Sequence, residues 1–153
     1  MTDPTKTPLY PVDLDPTALG EPEPPSEVRA AGKRTIPLVY IAGPYTAPDA
    51  LRTELNVRRA EEMAYAIARL GIMPVCPHTN LRYMAADLAK FLYPATLELM
   101  RACDAVFLLP DWMESDGARG ENADALRHGQ PAFQSLGLLK AWADEWRRER
   151  GVA

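Results

Sequence analysis

The densest chemistry in the chain lies in one run, Asp111-Trp112-Met113-Glu114-Ser115-Asp116-Gly117-Ala118-Arg119-Gly120-Glu121. It follows Ala105-Val-Phe-Leu-Leu109, the most strand-like segment of the sequence, and leads into a helix expected over 118–128. Amides that open a helix behind a buried strand attract an anion such as a 5′-phosphate. Ser115 can add a hydroxyl donor there, with Gly117 and Ala118 supplying backbone. Glu121 is expected in the first turn, at the rim of the same crevice. A carboxylate so placed can attack the anomeric carbon of a sugar opposite the base, forming a covalent glycosyl-enzyme. It can equally be a first-turn glutamate that only complements the helix dipole. Trp112 can stack on a base or pack against the sheet edge.

Two other loops carry suitable groups. In Tyr40-Ile-Ala-Gly43-Pro44-Tyr45-Thr46, Gly43 lets backbone approach a ligand. The following amides and the Thr46 hydroxyl can donate to sugar or phosphate oxygens, and Tyr45 can cover a base. Read alone, Gly43-Pro44 is also simply a tight turn and Tyr45 simply packing. In Pro77-His78-Thr79-Asn80, His78 and Asn80 can hydrogen-bond a base edge. The pKa range of His78 suits a proton donor, though such a residue more often fixes its own loop. His128, before Gly129, reads as a helix C-terminal residue.

Positioning these loops requires alternating strands and helices. Strands are expected at 38–42, 72–76 and 105–109, with a short last one at 130–134. Asn56 can cap a helix ended by Gly71; 77–80 is a loop; 81–92 is helical; and Pro94 opens a further helix to about Ala102. A final helix carries Leu136, Leu139, Trp142, Ala143 and Trp146 on one face. The pattern predicts an α/β fold, a Rossmann-like (flavodoxin-like) three-layer sandwich with a mostly parallel five-stranded sheet. Ligands of such sheets bind beyond the carboxyl ends of the strands.

Pro4, Pro8, Pro11, Pro16, Pro22, Pro24 and Pro25 crowd the start of the chain. Residues 1–35 therefore read as an extended or disordered arm able to lie on a partner subunit, and 36–153 as the folded domain. A net charge of −4 over 153 residues argues against nucleic acid as partner and for a small molecule. No apolar run of roughly 18 residues occurs, so no membrane association and a cytoplasmic protein are expected. Cys76 and Cys103 sit in apolar runs and read as reduced thiols. With two histidines they make a weak zinc set, so neither metal nor cofactor is expected.

Together, Tyr40-Ile-Ala-Gly-Pro-Tyr45, Asn56 with its helix, Pro77-His-Thr-Asn80, Cys103-Asp-Ala-Val-Phe-Leu-Leu-Pro110 and Ser115-Asp-Gly-Ala-Arg-Gly-Glu121 resemble the nucleoside 2-deoxyribosyltransferase superfamily, over about residues 37–134. That superfamily includes the 2′-deoxynucleoside 5′-monophosphate N-glycosidases and phage and bacterial relatives. The resemblance implies that Glu121 is the nucleophile and that the first loop lines the base and sugar pocket. It places Ser115 where the glycosidases carry a phosphate-contacting serine and the transferases an aspartate. It also implies a homodimer or larger homo-oligomer.

The family's second acid, about eight residues before Asp104, is here Thr96, which cannot protonate a departing base at neutral pH. Asp87, Glu98 and Asp111 are nearby substitutes, or water assists. Asp104 itself reads as a structural residue at the strand's start. The expected function is therefore N-glycosidase action on a nucleoside 5′-monophosphate, with a 2′-deoxy sugar favoured, through glycosyl-Glu121. The alternatives are a base-exchanging deoxyribosyltransferase, a non-catalytic nucleotide-binding or sensing module, and an interaction protein built on the arm and the Trp142/Trp146 helix.

Overall fold

The computed structural model describes residues 13–25, 34–82 and 88–152. Pro4, Pro8, Pro11 and Asp87, named above, lie outside the described residues. Four strands form one parallel sheet: β1 (Leu38–Ala42), β2 (Met73–Val75), β3 (Ala105–Leu108) and β4 (Ala132–Phe133). Their order is β2-β1-β3-β4, with Tyr40 opposite Val75 on one side and Val106 on the other. The fifth strand expected from the sequence is not present among the described residues. The chain moves outward from β1 to β2 and then returns past β1 to β3. The β1–β3 boundary is thus where the strand order reverses and a crevice opens.

Side-chain parity along β1 and β3 divides the core into two layers. Val39, Ile41, Ala105 and Phe107 pack with α1 (Ala50–Arg69) and α5 (Leu136–Glu149). Tyr40, Ala42, Val106 and Leu108 face the opposite layer, which contains α3 (Ala89–Arg101) and α4 (Asp116–Arg127). The result is the expected three-layer sandwich. Trp146 is buried and Trp142 packs against Phe133 with tilted rings 5.5 Å apart, so the tryptophan face of α5 is used inside the domain.

Several boundaries differ from the sequence reading. Helix α1 starts at Ala50 because Asp49 caps it, accepting from Arg52 N at 2.8 Å. Asn56 lies inside the helix, and its amide donates to Tyr45 O at 3.2 Å. Residues Pro77–Asn80 form a helical turn, α2, rather than an open loop. Pro94 sits inside α3 as its sixth residue rather than opening it, so the helix forgoes one backbone hydrogen bond there.

The described part of the arm lies on its own chain. Asp13 accepts from Ser135 Oγ (2.6 Å), Leu136 N (2.9 Å) and Gly137 N (3.0 Å), closing the amino end of α5. Leu14 packs on the α1/α5 layer, and Arg69 donates to Gly20 O at 2.7 Å. No helix of the described residues is long and apolar enough to cross a membrane.

Candidate functional site

Tyr40 points into the α3/α4 layer from the middle of the sheet and is fully buried. A phenol taken out of water needs a partner for its O–H. Tyr40 Oη donates to Glu121 Oε1 at 2.6 Å. Glu121 is the sixth residue of α4, not a first-turn residue as its sequence position suggested, because Ser115 caps the helix earlier. The Ser115 hydroxyl accepts from Ala118 N at 3.2 Å. Glu121 is only 8 % exposed, which excludes a role as a solvated dipole-complementing side chain. Burial pushes its carboxyl up to about 7, while the Tyr40 hydrogen bond pulls the other way.

Both residues line a cavity of about 330 Å³ beyond the carboxyl ends of β1 and β3, a size suited to a small metabolite. Of the residues singled out from sequence, Tyr40, Gly43, Tyr45, Thr46, His78, Ser115, Gly117, Ala118 and Glu121 line it together. Three do not. The Pro44 carbonyl is turned to His78, Asn80 is exposed on α2, and the Trp112 indole donates to Gln134 Oε1 at 3.3 Å while packing beside the sheet.

Gly43 owes its identity to packing. A Cβ there would lie 2.4 Å from Leu109 Cδ1, and the glycine lets the first loop cross the end of β3. His78 fixes that loop. Its Nε2 lies 3.1 Å from Gly43 O and 2.9 Å from Pro44 O, so this nitrogen carries the proton. Burial lowers the pKa of the ring, and Nδ1 is buried with no hydrogen-bond partner among the described residues. A neutral imidazole committed to two carbonyls is a latch, not the proton donor the sequence left open. Tyr45 packs edge-on to His78 at 5.8 Å and donates to Leu81 O at 3.3 Å.

Glu121 is the single carboxyl of the described lining, and no lysine or arginine lines the cavity among the described residues. Thr96 is buried, lines the cavity and donates to Tyr93 O at 2.8 Å. Neither Glu98 nor Asp111 reaches the lining; Asp111 lies 3.9 Å from Arg59. Asp104 is structural, bound by Arg34 at 2.5 and 2.9 Å and accepting from Leu38 N at 2.8 Å. His128 ends α4 with Nδ1 2.8 Å from Asp124 O. Glu114 is exposed, and Asp116 is exposed and paired with Arg119, so both acids flanking the mouth of α4 point away from the cavity.

Sequence reasoning missed Pro77, Leu81, Ala89 and Leu92 in the lining and, with a polar group to offer, Tyr93 of α3, which lines the cavity beside Glu121. Its signal was indirect. Gly117 and Gly120 sit one turn apart in α4, where glycine weakens a helix unless something needs the room. The room is taken by Tyr93: a Cβ on Gly120 would lie 2.1 Å from its hydroxyl oxygen.

No curated protein matches the chain. Residues 37–133, which run from β1 to β4 and cover well over half of the 153 residues, match the model of a family described as a domain of unknown function (DUF4406), and the chain belongs to that family.

Proposed function

We propose that this protein cleaves the N-glycosidic bond of a nucleoside 5′-monophosphate, with 2′-deoxyribose favoured, using Glu121 as nucleophile. The observation that carries the reading is a buried carboxylate held by Tyr40 in the wall of a nucleoside-sized cavity at the strand-order reversal. In the first step a Glu121 carboxylate oxygen forms a bond to the anomeric carbon. The C–N bond breaks, and its electron pair leaves with the base. In the second step water attacks the same carbon and releases the sugar phosphate, and Glu121 leaves as carboxylate. With no second carboxyl in the described lining, water supplies the proton to the departing nitrogen, and the hydroxide left behind takes up the proton lost by the water that attacks in the second step.

The substrate's phosphate would sit at the amino end of α4. The Ser115 hydroxyl accepts from Ala118 N and keeps its own proton free to donate, and the first-turn amides have no intrahelical partner. The lack of a cation in the described lining favours a second reading, in which the substrate is the neutral nucleoside. Thr96 in place of an acid favours a third, a binding module without turnover.

One panel separates these readings. The protein is incubated with ribo- and deoxyribonucleosides and their 5′-monophosphates, and released base is measured by chromatography. Release from a monophosphate, abolished in Glu121→Ala and Glu121→Gln, is the expected result. Release from nucleosides alone supports the neutral substrate, and binding without release supports the module. Activity surviving both Glu121 substitutions removes the covalent mechanism.

A further inference from the structure

Tyr93 crosses from α3 to α4 over a furrow made by two glycines. Its hydroxyl occupies the space above Gly120, and its ring edge, Cε2, lies 3.8 Å from where a Gly117 Cβ would be. The residue is 41 % exposed, unlike its buried neighbours Tyr40 and Thr96. It is therefore not simply core: one edge is pressed on α4, and the rest borders the cavity. Along α4 the order is Ser115, then Gly117 under the ring, then Gly120 under the hydroxyl, then Glu121.

The step from this order to a role rests on the reading of the cavity as a nucleotide site. A ligand with its 5′ end at Ser115 and its anomeric carbon at Glu121 must lay its sugar along this same stretch of helix. We infer that Tyr93 is a specificity-determining residue whose phenol hydroxyl hydrogen-bonds a hydroxyl on the C2′–C3′ edge of the substrate sugar. The chemistry suits this. A phenol is a neutral donor and acceptor, matched to another hydroxyl, and no ionised group is needed. Partial burial, and after it the neighbouring Glu121, raise the pKa of the Tyr93 phenol above its ordinary value. Thr96 fixes the backbone beneath it by donating to Tyr93 O.

The test is binding, so that chemistry does not consume the ligand. Ribo-, 2′-deoxy- and 2′,3′-dideoxynucleoside 5′-monophosphates of each common base are titrated calorimetrically into Glu121→Gln and into Glu121→Gln/Tyr93→Phe. In Glu121→Gln, the sugar bearing the recognised hydroxyl binds about two- to tenfold tighter than its analogue lacking it, the range of one neutral hydrogen bond. The Tyr93→Phe change abolishes that preference and leaves the dideoxy compound's affinity unchanged. Phenylalanine keeps the ring on Gly117, so a purely structural Tyr93 leaves the sugar ratios where they were. Unchanged ratios, or equal weakening of all three sugars, overturns the inference. The two readings fail separately. Nucleotides bound with a Tyr93-dependent preference but never cleaved by wild type sink the glycosidase while sparing Tyr93; no nucleotide binding at all sinks both.

Discussion

Replacing Gly120 by alanine tests the α3–α4 contact on which the cavity wall depends. In an unobstructed helix interior the change is stabilising by about 0.5–1 kcal/mol, because glycine loses more backbone entropy on folding. Here the new methyl would lie 2.1 Å from the Tyr93 hydroxyl oxygen and 3.4 Å from Cζ. The first distance is far inside van der Waals contact. The second is tight but within reach of a small adjustment. Alanine must therefore push the end of Tyr93 aside, at a cost in the 1–3 kcal/mol range of overpacking, lowered because a half-exposed ring can swing outward. Gain and loss nearly cancel, and Gly120→Ala alone is expected within about 1 kcal/mol of wild type. With Tyr93→Phe the offending oxygen is gone, and alanine should recover most of its helix-propensity gain. The informative quantity is the coupling between the two changes, expected near 1 kcal/mol and read from urea denaturation midpoints of wild type, both singles and the double. Additivity within about 0.3 kcal/mol would mean that the hydroxyl does not sit over Gly120, and the cavity wall would have to be redrawn.

Other consequences follow from the same geometry. Glu121→Gln should stabilise the protein at pH 8 and hardly at all at pH 4.5. A carboxyl raised from 4.5 to about 7 binds more protons folded than unfolded, so the native state loses stability as pH rises through that window. The upper bound is on the order of 3 kcal/mol, and equal effects at both pH values in chemical denaturation would contradict the buried placement. In the glycosidase reading kcat/KM should rise with pH to a plateau above about 7, as Glu121 ionises. Tyr40→Phe should lower activity at pH 7 by about 10- to 100-fold and move that limb to higher pH; an unmoved limb would separate Tyr40 from Glu121 ionisation. Gly43→Ala should cost about 1–3 kcal/mol, since its methyl would meet Leu109 Cβ and Cγ at 2.9 Å, and Leu109 has no exposed surface. A loss under 0.5 kcal/mol by thermal unfolding would show the loop to be more yielding than its contacts.

The sequence revealed periodic and chemically marked features better than it revealed reach. The unbroken apolar runs of Leu38–Ala42 and Ala105–Leu108 located the buried strands, and Gly71 and Gly129, at φ +74° and +68°, follow the ends of the helices they were expected to stop. Glu121 stood out as a carboxylate near a helix start behind a buried strand, but its depth did not, since that depended on Ser115 rather than a later residue starting α4. Helix starts are fixed by competing caps, and Asp49 and Asn56 are both competent caps by type. Only tertiary contact shows that Asn56 is spent holding the Tyr45 carbonyl. His78 was ambiguous for the same reason, because its role depends on carbonyls more than thirty positions away. Tyr93 was hidden more thoroughly. No periodicity marks a tyrosine beside a proline as part of a site, and its evidence was written on the other helix, as two glycines that propensity alone would reject. A glycine pair one turn apart inside an otherwise good helix is thus better read as the imprint of a neighbouring side chain than as a weak point. In this fold that imprint lies along the edge of the cavity that carries Glu121.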